Sequence, residues 1–162
     1  MARAAWTALI SLLLASPLGA TTFLPLSFEQ LVTSASTIVY GRVVDVRGQW
    51  SDDHRAIESV VTIDVVRGMK GSAPVQMAFM MPGGQVGRYA NVIPGTPVFA
   101  PGDLAVVFLT SRGARLPIAT GLTQGVYRVQ RDGAAGDLRV MPPVTEASGR
   151  ILRGDPRRQR MG

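Results

Sequence analysis

Two long runs rich in β-branched residues, at positions 37–47 and 57–69, do most to restrict how this chain can fold. In the second run Val61, Ile63 and Val65 alternate with Thr62 and Asp64, and this period of two is typical of a half-buried strand. Gly41 lies inside the first run, where a residue without a side chain allows a strand to bend sharply. The two runs predict a protein built mainly of β-strands.

Shorter strand-forming segments follow at positions 75–80, 104–109 and 116–119. The segment at 104–109 is almost entirely apolar, which predicts a strand that is buried on both faces. Residues 125–130 and 138–141 flank a turn-forming Asp132-Gly133 pair, and we expect them to form a β-hairpin.

One short helix is predicted ahead of the strands, ending near Ala35-Ser36. Ser27 can cap its first turn and Gln30 can reach back to Ser27, which is the pattern of a capping box. Four apolar side chains then share one face at helical spacing and predict packing against a sheet: Phe28, Leu31, Val32 and Ala35. Five to seven curved antiparallel strands in a single domain, residues 21–149, favour a small β-barrel, with a compact sandwich as the alternative.

The first 20 residues resemble a secretory signal peptide, with Arg3, an apolar stretch at 6–15 and small residues up to Ala20. The apolar stretch is well short of the roughly 20 residues that span a bilayer. We therefore favour removal of this segment over an uncleaved anchor, and we expect no transmembrane segment after removal. The expected location is secreted or periplasmic, and the preference for arginine over lysine suggests a bacterial protein.

The net charge of +6 is concentrated at the C-terminus. Residues 21–149 carry 11 basic and 10 acidic side chains, whereas residues 150–162 carry five arginines against Asp155. Such a basic tail is expected to be disordered. Because the expected fold is nearly neutral and the chain is exported, the sequence argues against nucleic acid as a partner.

Few residues are candidates for catalysis, metal binding or cofactor binding. His54, the only histidine, follows Asp52 and Asp53 in an expected polar turn, and the chain has no cysteine that could complete a metal site. The glycines of residues 83–87 are not followed by a predicted helix, so they do not match a dinucleotide-binding motif. We expect no enzymatic activity, no cofactor and no metal site of the protein's own.

Residues 81–102 are rich in proline and glycine and are predicted to form a loop. A loop this long inside a compact domain is uncommon and often functional. The alternative is a simple crossover between strands, in which Phe99 would plug one end of the barrel.

The order of these elements resembles that of the netrin-like domain, the oligosaccharide/oligonucleotide-binding (OB) barrel used by tissue inhibitors of metalloproteinases. The resemblance runs from Thr21 to about Val129. It rests on Thr22 and Pro25, the helix, a first strand at 36–44, a second strand ending in Lys70-Gly71, and later strands at 75–82 and 104–109. It implies an OB-like barrel.

In that family the free N-terminus and the loop after the third strand form the inhibitory surface. The resemblance implies that the α-amine and carbonyl of Thr21 would chelate the zinc of a protease. The Thr22 side chain would then enter the specificity pocket, beside a loop at 81–94. The family's disulfide-bonded cysteines are replaced here by Thr21 and Phe23, so the N-terminal segment lacks its covalent tethers.

We therefore expect an exported, non-enzymatic module that binds an extracytoplasmic protein. A zinc metalloprotease is the most specific candidate for that partner. The expected contact residues are Thr21, Thr22, Phe23, Pro25, Pro82, Gly83, Gly84 and Gln85. Two alternatives stay open. One is a structural or assembly module of the bacterial cell envelope, acting through sheet edges or the basic tail, and the other is a carrier with a small-molecule cavity.

Overall fold

The computed structural model describes residues 25–132 and 136–143, so the expected signal peptide and basic tail lie outside the described residues. The described part contains a helix, α1 (Phe28–Ser34), a 3₁₀ turn at Leu122–Gly125, and nine strands. The strands are β1 (Thr37–Trp50), β2 (Ile57–Lys70), β3 (Gln76–Pro82), β4 (Gly84–Val86), β5 (Tyr89–Asn91), β6 (Leu104–Arg112), β7 (Arg115–Ala119), β8 (Val126–Asp132) and β9 (Asp137–Met141). The prediction of a mainly β fold with one short helix is confirmed. No helix in the described ranges is long and apolar enough to cross a membrane.

Seven of the strands form one sheet, in the order β1-β2-β3-β7-β6-β8-β9. Strand β1 also pairs with β6, and this second pairing produces a ring-like sheet of five strands: β1, β2, β3, β7 and β6. Strand β8 pairs with β6 outside the ring, and β9 pairs with β8 as the predicted hairpin partner.

One pair in the ring, β3 with β7, is parallel and meets at Met80 and Ile118. The other pairs in the ring are antiparallel. The expectation of an entirely antiparallel sheet is therefore wrong at this place. The reason is geometric, because strand directions cannot alternate all the way around a ring that has an odd number of strands.

The pairing of β1 is irregular at Gly41, where a bend is predicted. The register between β1 and β2 shifts between Tyr40 and Gly41, and a Cβ atom at Gly41 would overlap the carbonyl oxygen of Asp64. The N-terminal part of β1, from Thr37 to Arg42, pairs with β6 on its other edge. Strand β1 thus pairs along both of its edges, and this double pairing closes the ring.

Two hydrophobic clusters share the sheet. The first is built from all five ring strands and consists of Val43, Val61, Ile63, Phe79, Met81, Phe99, Ala105, Val107, Leu109, Ala119 and Val126. The second lies between the sheet and α1 and consists of Leu31, Ala35, Ile38, Val106, Phe108 and Val129. Alternate residues of β6 enter different clusters, which confirms the prediction that this strand is buried on both faces.

The helix begins with the predicted capping box. The Ser27 hydroxyl accepts a hydrogen bond from the Gln30 N–H, and the Gln30 side chain accepts one from the Ser27 N–H. At the other end the Lys70 ammonium donates to the carbonyls of Val32 (2.6 Å) and Thr33 (3.2 Å). A cation is favourable there because it complements the unpaired carbonyls and the helix dipole.

The predicted buried face of α1 is only partly correct. Leu31 and Ala35 are buried and Val32 is half-buried, but Phe28 is 60 % exposed. Its ring instead packs edge-on against Phe108 and Tyr127, with centroids 5.9 and 6.2 Å away. Phe28 lies in the first helical turn, so it reaches the margin of the second cluster and not its centre.

Candidate functional site

The segment predicted as a long loop begins with regular structure. Strands β4 and β5 form a separate two-stranded hairpin in which Gly84, Gln85 and Val86 pair with Asn91, Ala90 and Tyr89. Gly87, at the tip, has a φ of +57°. The loop prediction for residues 81–102 is therefore wrong for its first half, because the pairing of short strands is not visible in their composition.

Gly83 and Gly84 set the angle at which this hairpin leaves β3. Their φ angles are +87° and +145°, values that favour glycine. The Gly83 N–H donates to the Ile57 carbonyl (3.0 Å), and its carbonyl accepts from the Ser59 hydroxyl (2.8 Å). A Cβ atom at Gly84 would overlap that same hydroxyl. The two glycines are thus required by the backbone path, whatever else they do.

The hairpin encloses an open, mostly apolar cleft of about 380 Å³, which we call the hairpin cleft. Its walls are formed by the C-terminal half of β1, the end of β3, the hairpin, and residues 92–99. Buried Met81 and Phe99 line it from the core side. Four predicted contact residues lie together in its wall: Pro82, Gly83, Gly84 and Gln85.

Three residues at one margin of the hairpin form a stack that we call the aromatic rim: Trp50, Arg88 and Tyr89. The Trp50 and Tyr89 rings lie 5.8 Å apart, and they are 37 % and 50 % exposed. The Arg88 guanidinium lies 5.1 Å from the centre of the Tyr89 ring and donates to its hydroxyl (2.9 Å). The stack holds an arginine and two aromatic rings in a fixed, exposed arrangement.

The far wall of the hairpin cleft is braced by a charge pair. The Arg128 guanidinium lies 2.7 Å from the Asp103 carboxylate, donates to the Val98 carbonyl and sits 5.5 Å from the centre of the Phe99 ring. Asp103 also accepts from the Ala100 N–H. These contacts hold residues 98–103 in place, while the Val98 side chain stays exposed.

Phe99 is buried and packs edge-on against Phe79, with ring centroids 5.7 Å apart. Phe99 thus belongs to the first hydrophobic cluster, and its role as a plug at a barrel end stays a prediction. The same segment supplies one wall of the hairpin cleft through Thr96, Pro97 and Val98. The segment between β5 and β6 therefore serves both as the crossover between these strands and as one wall of the hairpin cleft.

Of the four predicted N-terminal contact residues, the structure describes only Pro25. Thr21, Thr22 and Phe23 lie outside the described residues. Pro25 is exposed and does not line the cleft. The next residue, Leu26, donates its N–H to the Gln124 side chain (2.6 Å), which ties the start of the described chain to the 3₁₀ turn.

The turn that contains His54 is polar, as predicted. The pKa of Asp53 is lowered, first by the hydrogen bond from the Ser51 hydroxyl and then by the Arg55 N–H. Asp52 pairs with Arg115 across 3.1 Å. Within residues 25–132 and 136–143, no three histidine, cysteine or acidic side chains are grouped so that they could hold a metal ion.

The aromatic rim was not predicted from the sequence. Trp50 and Tyr89 are far apart in the chain, and only the packing of the hairpin beside β1 brings them together. A signal was available, because Val46, Gly48 and Trp50 alternate along β1 and so share one face.

Comparison of the chain with protein-family models, curated proteins and solved structures finds no match.

Proposed function

We propose that this chain is an exported, non-enzymatic module that binds an extracytoplasmic protein through the hairpin cleft and the aromatic rim. The observation that carries the proposal is the exposed Trp50–Tyr89–Arg88 stack beside an apolar cleft. Tryptophan, tyrosine and arginine are the residues most enriched among those that dominate binding energy in protein interfaces.

The charges around the cleft indicate the chemistry of the partner. Among the described residues, five arginines form ion pairs, and Arg88 is not one of them. Its guanidinium therefore has donors available for a carboxylate. The partner we propose presents an apolar side chain to the cleft and an adjacent aspartate or glutamate to Arg88.

Peptide selection tests this proposal without a known partner. Peptides displayed on phage are selected on the wild-type protein, and single binders are then measured against variants. We expect acidic–apolar peptides that lose tenfold or more in affinity with Arg88→Glu, because attraction becomes repulsion, and with Trp50→Ala, because a large contact surface is removed.

Arg112→Glu is the matched control, since Arg112 is an exposed cation on β6 that does not line the cleft. It should leave peptide affinity unchanged, and circular dichroism should show that all three variants are folded. Binders that tolerate both Arg88→Glu and Trp50→Ala would contradict the proposed site.

The finer form of the proposal is an OB-like barrel that acts as a metalloprotease inhibitor. The five-stranded ring with a parallel β3–β7 pair supports an OB-like interpretation. The hydrogen bond from the Leu26 N–H to the Gln124 side chain attaches Leu26 to the 3₁₀ turn in a chain without cysteine, which also supports this proposal. The free amine and carbonyl of Thr21 would then occupy the open position of a catalytic zinc.

A single added residue tests this mechanism. Protein that begins at Thr21 should inhibit a zinc metalloprotease in a fluorogenic peptide assay, and the same protein with one alanine before Thr21 should not. Equal inhibition by both forms, or none by either, would end the chelation mechanism. It would not contradict the cleft proposal, because that proposal rests on Trp50, Arg88, Tyr89 and the cleft and does not depend on Thr21.

A further inference from the structure

Strand β9 (Asp137–Met141) forms one edge of the seven-stranded sheet. It pairs with β8 on one side only, and no strand in the described ranges pairs with its outer side. Unpaired N–H and C=O groups along such an edge can template the addition of another strand. Natural edges are commonly protected by proline, by charged side chains or by a covering element.

This edge carries exposed apolar side chains. Leu138 is 50 % exposed and Val140 is 51 % exposed. Both lie on the face that carries Val129 and α1, since Val140 is directly opposite Val129. On an edge that no described strand covers, a half-exposed leucine and valine favour pairing with another apolar strand.

The charges on the other face of β9 are incompletely matched within one copy. Asp137 lies directly opposite Asp132, and like charges in opposite positions are unfavourable. Arg139 forms an ion pair with Asp132 across 2.5 Å. Asp137 has no cation within ion-pairing distance among the described residues.

We propose that β9 pairs antiparallel with β9 of a second copy of this chain, around a two-fold axis at Leu138. In this register Asp137 of each copy lies opposite Arg139 of the other, so two ion pairs form on one face. The two Leu138 side chains meet on the opposite face. Such an interface is isologous, because the same strand of both copies forms it.

The charges select this register over its neighbours. A two-fold axis at Arg139 would place two arginines directly opposite each other, which is destabilising. A two-fold axis at Leu138 relieves the Asp132–Asp137 repulsion in both copies at once, since each Asp137 gains a cation. With only five residues in the strand the interface is small, so we expect a weak, concentration-dependent dimer.

Cysteine cross-linking tests the register directly, because the chain has no cysteine of its own. In the proposed dimer the two Leu138 Cα atoms are directly opposite, about 4.5–5.5 Å apart, which suits a disulfide. Oxidised Leu138→Cys protein should therefore become a covalent dimer. Val140→Cys is the matched control, since its two copies would be four residues apart along the strand, about 13 Å, and should not bridge.

Charge reversal tests the ion pairs independently. Sedimentation velocity over a range of concentrations should show association of the full chain that weakens at least tenfold with Asp137→Arg, which places two arginines opposite each other. Arg139→Asp should weaken it similarly. The double variant Asp137→Arg/Arg139→Asp should restore it, because the opposite charges are only exchanged.

Two further measurements separate association from folding. Asp137→Arg should not lower the thermal midpoint, since it removes a like charge opposite Asp132, and Arg55→Asp in the exposed 51–56 turn should leave association unchanged. A monomer at all concentrations, equal bridging by the two cysteine variants, or failure of the double variant to restore association would overturn the proposal. None of these results depends on the hairpin cleft.

Discussion

The helix junction, meaning α1 with Ser36, Lys70 and Gln124, and the hairpin cleft are built in different ways. At the junction the polar groups have partners within the chain: Lys70 donates to helix carbonyls, and the Ser36 hydroxyl donates to the Leu109 carbonyl while accepting from the Ser111 N–H. At the aromatic rim beside the hairpin cleft, Arg88 contacts its neighbour Tyr89, and Trp50 remains partly exposed. The junction is organised for stability, whereas the cleft leaves groups available to a partner.

The largest difference between the two regions should appear on side-chain truncation. Leu31→Ala at the junction removes a buried side chain and should lower the free energy of unfolding by about 3 kcal/mol. Val92→Ala at the cleft removes an exposed side chain and should change it by less than about 0.5 kcal/mol. Urea denaturation measures both, and similar losses would erase the proposed distinction.

The glycines at the base of the hairpin, Gly83 and Gly84, are an exception within the cleft. We expect their substitution to lower the free energy of unfolding, unlike truncation of the exposed side chains around them. Gly84→Ala should cost about 2 kcal/mol, since φ is +145° and the Ser59 hydroxyl occupies the space of the new Cβ. Gly87→Ala is the control at the hairpin tip, where nothing lies near the new atom. It should cost only about 1 kcal/mol. Equal costs at both positions would mean that the Ser59 contact is unimportant.

A substitution of Lys70 tests whether the stability of the helix junction depends on the cation at the end of α1. Lys70→Met keeps much of the side-chain length but removes the ammonium from the Val32 and Thr33 carbonyls, and it should lower stability by about 1 kcal/mol. Arg67→Met, an exposed change on the same strand, is the control and should be nearly neutral. Thermal unfolding of both variants decides the matter: a neutral Lys70→Met would show that the helix end needs no cation.

The smallest expected effect concerns pH, at the turn that follows Trp50. The pKa of Asp53 is lowered in the folded protein, so its contribution to stability is present above the unfolded pKa. That contribution is lost as the pH falls through the folded pKa. An NMR titration should give Asp53 a midpoint below its ordinary value, and Ser51→Ala should move that midpoint upward. A midpoint unaffected by Ser51→Ala would contradict the assigned cause.

Much of the local structure was predictable because it depends on near neighbours. The Ser27–Gln30 capping box involves residues three apart, and alternation in 57–69 follows from the period of a strand. The predicted contact residues Pro82, Gly83, Gly84 and Gln85 line one cleft, but their role in binding a partner stays a prediction. Phe28 was misjudged, since helical spacing shows which face a residue shares but not how far the sheet extends beneath it.

By itself, the sequence determined the type and order of the helix and of all the strands except β4 and β5, because hydrophobic period, caps and turn residues act within a few positions. Tertiary structure alone decided the parallel Met80–Ile118 pairing, the stacking of Trp50 on Tyr89 and the contact of Lys70 with the helix end. Each of these joins residues more than 35 positions apart. Such contacts depend on how the ring closes and how the hairpin packs. A local sequence pattern does not specify which residues that are far apart in the chain will meet.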